Sequence, residues 1–211
     1  MILTLLLAAA APVSAVDAER AFAADARRLG QWTAFRKWAD PTAVMFDPQA
    51  VWAQQYLAGR RDPPASVRWW PDRSWTSCDG RTAVNSGPYR MAGKAGGGRF
   101  LTLWMRQPSG QWRWTIDGGS PAARPAAMTS RVTVRRASCQ NPQLRRRQIA
   151  ASYANPANRA AAPGDSGYSR SADGTLLFNW TVAADGIRHS RVQLWTGRRF
   201  EPVVDETVRP R

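Results

Sequence analysis

The sequence predicts an α+β fold, with helices first and an antiparallel sheet after them. Three observations carry that prediction. Apolar residues recur at helical spacing as far as Gly59, the period changes to two from Val67 onward, and Gly-containing turns then punctuate the chain at hairpin spacing. The chain has 211 residues, 44% of them hydrophobic and 21% charged. That suits one domain of about 100–200 residues with an appendage and excludes a disordered chain.

Residues 1–15 read as a cleaved export signal. The apolar run Ile2 to Ala11 leads through Pro12 to the small-residue motif Val13-Ser14-Ala15. The run is too short to anchor across ~30 Å of hydrocarbon, so no stable membrane insertion is expected. The rival reading is a short anchor, since this segment carries no Lys or Arg. The expected location is periplasmic or secreted. In an oxidising compartment Cys78 and Cys139 pair by default; the alternative is two buried thiols.

Residues 16–120 form the predicted α+β domain. Asp17 is placed to cap a helix through Phe22, Ala26 and Leu29 that stops at Gly30. A second helix sets Trp32, Phe35 and Trp38 near one face. Val44 to Phe46 suits a short strand, and Asp47-Pro48 suits the start of a helix carrying Trp52 and Tyr56. Asp79-Gly80 turns a hairpin between Ser74–Cys78 and Arg81–Asn85. Phe100–Arg106 and Trp112–Ile116 continue the sheet, with Trp112, Trp114 and Ile116 expected on one buried face and the other face wet. Residues 121–173 read as linker and long loop with one strand through Val132 and Val134. Residues 174–211 read as a C-terminal β-hairpin extension.

Lys and Arg number 30 against 15 Asp and Glu, a net charge of +15. Nearly all the cations are Arg, spread along the chain, as a GC-rich genome would give. Polyanion binding by this surface is a third functional class, but export separates the protein from nucleic acid, so no specific nucleic-acid partner is expected. With one His and two Cys, zinc fingers and His-rich metal sites are excluded; neither a metal nor a cofactor is expected. Gly164-Asp165-Ser166-Gly167 matches part of a serine-protease motif, yet His189 is the lone His and the Ser sits in a predicted loop, not an elbow.

Several segments together carry a likeness: Gln31 to Phe35, Asp40 to Phe46, Trp69-Trp70-Pro71, Cys78 to Pro88, and Gly110 to Gly118. They resemble a SnoaL-like domain of the nuclear transport factor 2-like superfamily, of exported bacterial type, over about residues 17–119. The resemblance implies a cystatin-like cone, a strongly curved antiparallel sheet wrapped around N-terminal helices with an apolar pocket at its open end. It also implies a choice between non-catalytic binding modules and ketosteroid isomerase-like, cyclase or dehydratase enzymes that use a pocket Asp or His. The matching half holds no His, so the candidates are Asp25, Asp40, Asp47 and Asp117. Asp117 or Asp25 is the favoured acid/base residue, while Asp40 and Asp47 have structural roles beside prolines. Trp32, Phe35, Trp38, Trp69, Trp70 and Trp104 are the candidate aromatic wall. The leading expectation is a small-ligand-binding or interaction module, with an isomerase, cyclase or dehydratase as the alternative. An apolar small molecule and a second copy of the chain are the expected partners.

Overall fold

The computed structural model describes residues 12–93, 96–122, 126–127, 129–152 and 164–210. Residues 1–11, which hold most of the export-signal reading, lie outside them. Helix α1 (Ala15–Leu29) is capped by Ser14, whose hydroxyl accepts from the Asp17 N–H while the Asp17 carboxylate accepts from the Ser14 N–H. This reciprocal box makes Asp17 the partner of the cap and moves the start three residues before the expected one. Helix α2 (Gln31–Trp38) begins immediately after Gly30. Its N-terminus is closed from outside by Asp62, which accepts from the backbone N–H groups of Trp32 and Thr33. Gly30 has φ +105°, and a Cβ there would lie 2.3 Å from the Asp62 carboxyl, so no other residue fits.

β1 (Ala39–Asp47) turns directly into β2 (Gln49–Trp52), and only then does a short α3 (Ala53–Leu57) follow. The expected helix from Asp47-Pro48 is therefore a hairpin: Val44 and Phe46 pair with Trp52 and Ala50 across the turn. Strand pairing takes the residues that a Pro at the first helical position would otherwise have committed to a helix.

The main sheet adds β3 (Arg68–Trp69), β4 (Arg73–Thr76), β5 (Thr82–Arg90), β6 (Gly97–Arg106), β7 (Trp112–Ala122) and β8 (Thr133–Arg136). Its order is β2-β1-β7-β6-β5-β4-β8, with β3 on β5. It is mixed, because β1 runs parallel to β7 and β8 parallel to β4. The helices pack on its inner face through Phe22, Ala26, Ala34, Trp104, Trp112 and Trp114. A β-bulge, where the register of β6 and β7 slips between Leu103 and Trp104, reverses the facing of the β7 residues beyond Trp114. Trp112 and Trp114 thus stay inside while Ile116 joins the outer core, not the same face as expected. After the bulge Asp117 returns to the inner side.

Beyond β8 comes α4 (Pro142–Ser152), then β9 (Ser166–Arg170), β10 (Leu176–Val182), β11 (Arg188–Trp195) and β12 (Phe200–Val208). The tail is a four-stranded antiparallel sheet in the order β12-β11-β10-β9, where a hairpin was expected. Part of the predicted loop supplies α4 and the edge strand β9. This second sheet covers the outer face of the first, with Leu176, Phe178, Val192 and Leu194 against Val84, Leu101, Leu103 and Ile116. The face expected to be wet is thereby buried. The Cys78–Cys139 disulfide, with Cα atoms 5.3 Å apart, ties the β4–β5 turn to the segment after β8. Thr175 and Asp173 accept from the backbone N–H groups of Cys78 and Asp79, joining that turn to the second sheet.

Candidate functional site

A cavity of about 260 Å³ lies between the helices and the inner face of the main sheet. Its aromatic side is built by Phe22 from α1, Trp32 and Phe35 from α2, Trp69 from β3 and Phe100 from β6. Phe22 meets Phe35 and Trp69 edge-on at centroid distances of 4.8 Å each, the geometry that ring quadrupoles favour. Met45 and Phe46 enter from β1 and Tyr89 from β5. The polar side chains are few: Gln31, Thr102 and Asp117 with the Tyr89 hydroxyl, beside the bare backbone of Gly118 and Gly119.

Asp117 is half-buried, and it lines the cavity. Burial raises its pKa to about 6, against a 2.6 Å hydrogen bond donated by the Thr102 hydroxyl to Oδ1 and the positive charge of Arg188. Behind this wall lies a second acid. Glu19 of α1 is fully buried and accepts hydrogen bonds from the indole N–H groups of Trp69 (2.8 Å) and Trp104 (2.6 Å), with the Asn85 amide at 3.3 Å. Burial lifts its pKa to about 8, the indole donors oppose that, and the Asp117 charge adds to it. The two carboxyls therefore differ near neutral pH, Asp117 mostly charged and Glu19 mostly neutral.

Asp25 sits elsewhere. It accepts from Lys37 (2.6 Å), Arg28 (2.8 Å) and the Trp38 indole (2.9 Å), and these donors outweigh partial burial to hold its pKa below the usual carboxylate range. With Trp38, it borders a separate surface cleft of about 640 Å³ that also includes Trp112 and Arg113. Of the predicted aromatic wall, Trp32, Phe35 and Trp69 line the cavity. Trp104 is fully buried beneath it, and Trp70 lines a hollow with Arg20, Arg27 and Arg68. Asp40 accepts from the backbone N–H of Thr42, and Asp47 pairs with Tyr56 and Arg60, both away from the cavity.

The protease-like string does not assemble. Thr181 pairs with Ser166 on one side and His189 on the other, so Ser166 and His189 lie two strand spacings apart, about 10 Å. Among the described residues no group of three or more His, Cys, Asp and Glu could hold a metal.

Two residues escape sequence reading. Glu19 falls on the α1 stripe of Ala15, Ala18, Phe22 and Ala26, and that 3.6-residue position was its signal. Arg188 begins the inward row Ser190, Val192, Leu194 of β11 and is 6% exposed.

No protein-family model matches the chain, and no curated protein matches it. Solved structures are similar over about half of it. A candidate ketosteroid isomerase from Parabacteroides distasonis is 18% identical over 51% of this chain and 87% of its own, with a TM-score of 0.42. A Pectobacterium atrosepticum protein of unknown function is 16% identical over 54% and 93%, with a TM-score of 0.39. A cystatin-like fold protein from Burkholderia xenovorans is 18% identical over 53% and 89%, with a TM-score of 0.36.

Proposed function

We propose that the protein binds an apolar molecule of one or two rings in the aromatic cavity, with Asp117 as its polar anchor. One observation carries this reading: a carboxyl on the wall of a cavity otherwise formed largely by aromatic side chains and glycine backbone. A carboxylate held partly out of water against apolar rings is costly, which supports a use for it. The volume sets the size of the occupant. It exceeds the ~150 Å³ that admits benzene and falls just below the ~300–1,000 Å³ of drug-sized sites. Thr102 occupies Oδ1 of Asp117, leaving Oδ2 to accept from a ligand hydroxyl or N–H. Gln31 accepts from the Val67 N–H through Oε1, which leaves its NH₂ group to donate to a ligand acceptor.

Tryptophan fluorescence, titrated with naphthol and with naphthalene near pH 7.5, tests the anchor. Naphthol binds the wild type, and Asp117→Asn weakens it about tenfold or more while naphthalene binding is unchanged. Equal binding of both probes to both proteins, or no binding at all, overturns the reading.

The second reading is proton transfer by Asp117, as in the isomerases, cyclases and dehydratases of the resembling family. A carboxylate with pKa near 6 is a stronger base than an ordinary one yet remains ionised at neutral pH. Deuterium exchange into an enolisable bicyclic ketone would appear with the wild type and vanish with Asp117→Asn.

Export and the SnoaL-like subtype belong to this proposal. The apolar Ile2 to Ala11 run and the disulfide support export. No described helix is long and apolar enough to cross a membrane. A second copy of the chain would have to pair away from the outer sheet face, which the tail covers.

A further inference from the structure

We propose that the C-terminal sheet completes the cavity: Arg188 of β11 is a positioning residue whose cation, set against the back of the cavity wall, favours the charged Asp117 carboxylate. The inference rests on the reading of the cavity as a ligand site, and it gives the tail a role in that site.

Arg188 enters the contact between the two sheets beside a core of Leu, Val and Ile side chains. Arg188 is 6% exposed, and its guanidinium lies across β7 where Gly118 has no side chain. A Cβ at Gly118 would sit 3.2 Å from Cζ, Nη1 and Nη2 of that guanidinium. Nη2 donates to the Gly119 carbonyl at 3.0 Å, and Cζ stands 4.4 Å from the Phe46 ring centroid. Phe46, Gly118 and Gly119 all line the cavity, so the cation is behind its wall at the residue following Asp117.

Packing alone does not require a charge there. A buried Arg costs desolvation that its contacts must repay, and Nε of Arg188 is buried without a partner. The charged groups around Asp117 come from several elements. Glu19 of α1 approaches from the helix side, and Arg188 from β11. Glu206 of β12 lies diagonally across from Arg188, which partly offsets its field, and Arg99 of β6 faces Glu206 in turn. Burial opposes the ionised form of Asp117; the Thr102 hydroxyl and Arg188 favour it, and Glu19 is still neutral where Asp117 titrates. Of Thr102 and Arg188, only Arg188 supplies a full opposite charge.

The test needs no ligand. Side-chain carboxyl ¹³C shifts of the full chain are followed against pH, with Asp117→Asn assigning the resonance. Arg188→Met, close in volume and uncharged, raises the Asp117 midpoint by about one unit or more. Arg188→Lys, which keeps the charge, holds the midpoint near wild type. Gly118→Ala leaves every charge in place but displaces the guanidinium, so it raises the midpoint too, and it serves if Arg188→Met does not fold. An unmoved Asp117 midpoint in a folded Arg188→Met or Gly118→Ala protein overturns the inference, since a structural arginine would change melting temperature alone. Naphthol binding is read in the same samples. Binding with an unmoved midpoint sinks this inference alone; a moved midpoint without binding sinks the ligand reading alone.

Discussion

The two faces of the main sheet are packed with different chemistry. The outer core is mainly aliphatic, with Val84, Leu103, Leu176, Val192 and Leu194 essentially inaccessible, and its charge is kept to the edge at Arg188. The inner core is aromatic and holds buried polar groups: Glu19, Asn85 and Thr102, with the indole N–H groups of Trp112 and Trp114 unpartnered. Interdigitated aliphatic side chains fill space to crystal-like density. Large rings crossing edge-on leave gaps, and the cavity is the gap that opens beside Asp117. The outer face is thus filled with side chains, while the inner face keeps the cavity and the buried acid Glu19.

The strongest way to break that contrast is to empty one site on each face. Leu103→Ala removes a fully buried side chain of the outer core and should cost about 2–5 kcal/mol in urea unfolding, while the folded protein still binds naphthol. Phe35→Ala, on a half-buried ring of the cavity wall, should cost less stability and abolish naphthol binding. If folded Leu103→Ala loses the ligand as completely, the faces are not separable.

A pH series sharpens the inner half of the comparison. Glu19 titrates near 8 when folded and near 4.5 when the chain is open, so between those values the folded state holds a proton that the unfolded state releases. Stability must therefore fall as pH rises, by about 1.4 kcal/mol per unit, or about 3 kcal/mol from pH 5 to pH 7. Asp117, raised to about 6, steepens the fall below pH 6 in the same direction. Glu19→Gln replaces one accepting oxygen with a donor beside Trp69 and Trp104 and so lowers stability at low pH, but it should flatten the slope. Urea midpoints at pH 5, 6, 7 and 8 decide it. An unchanged slope in Glu19→Gln would mean that this acid is charged inside the protein and that the inner face tolerates a bare carboxylate.

Short-range patterns control the part of the fold that was legible in the sequence. The α1 and α2 stripes, the Asp79-Gly80 hairpin and the aromatic-to-Asp117 run of β7 all follow from local period and turn chemistry, and the α+β class follows from their order. Long-range pairing was illegible. Nothing near Val44 announces that β1 runs parallel to β7, and nothing in residues 141–170 marks Ser166–Arg170 as a sheet edge. The bulge at Leu103 and Trp104 defeats simple alternation, which is why Ile116 and Trp114 part company. Asp117 was within reach because it directly follows the apolar Trp112–Ile116 run. Glu19 and Arg188 were not singled out, because a charged residue on an apolar stripe reads as surface until its partner is known. Those partners lie 50 and 85 residues away from Glu19, in Trp69 and Trp104.

The smallest effect lies at the N-terminus, where the helix that carries Glu19 begins. Cleavage after Ala15 would leave Val16 as the first residue and remove the Ser14 hydroxyl that caps α1. It would also remove the Ala15 carbonyl, which accepts from the Asn85 amide at 2.8 Å in the floor beneath the cavity. A chain begun at Val16 should therefore be about 1 kcal/mol less stable than one begun at Pro12, the usual worth of an N-cap, with the loss confined to the inner face. Urea unfolding of the two chains, with amide exchange across α1, measures it. Equal stability would mean that the new terminal ammonium and water replace the cap. A loss of several kcal/mol would mean that Ala15 is a structural residue of the inner core, and that processing after it is disfavoured by the fold.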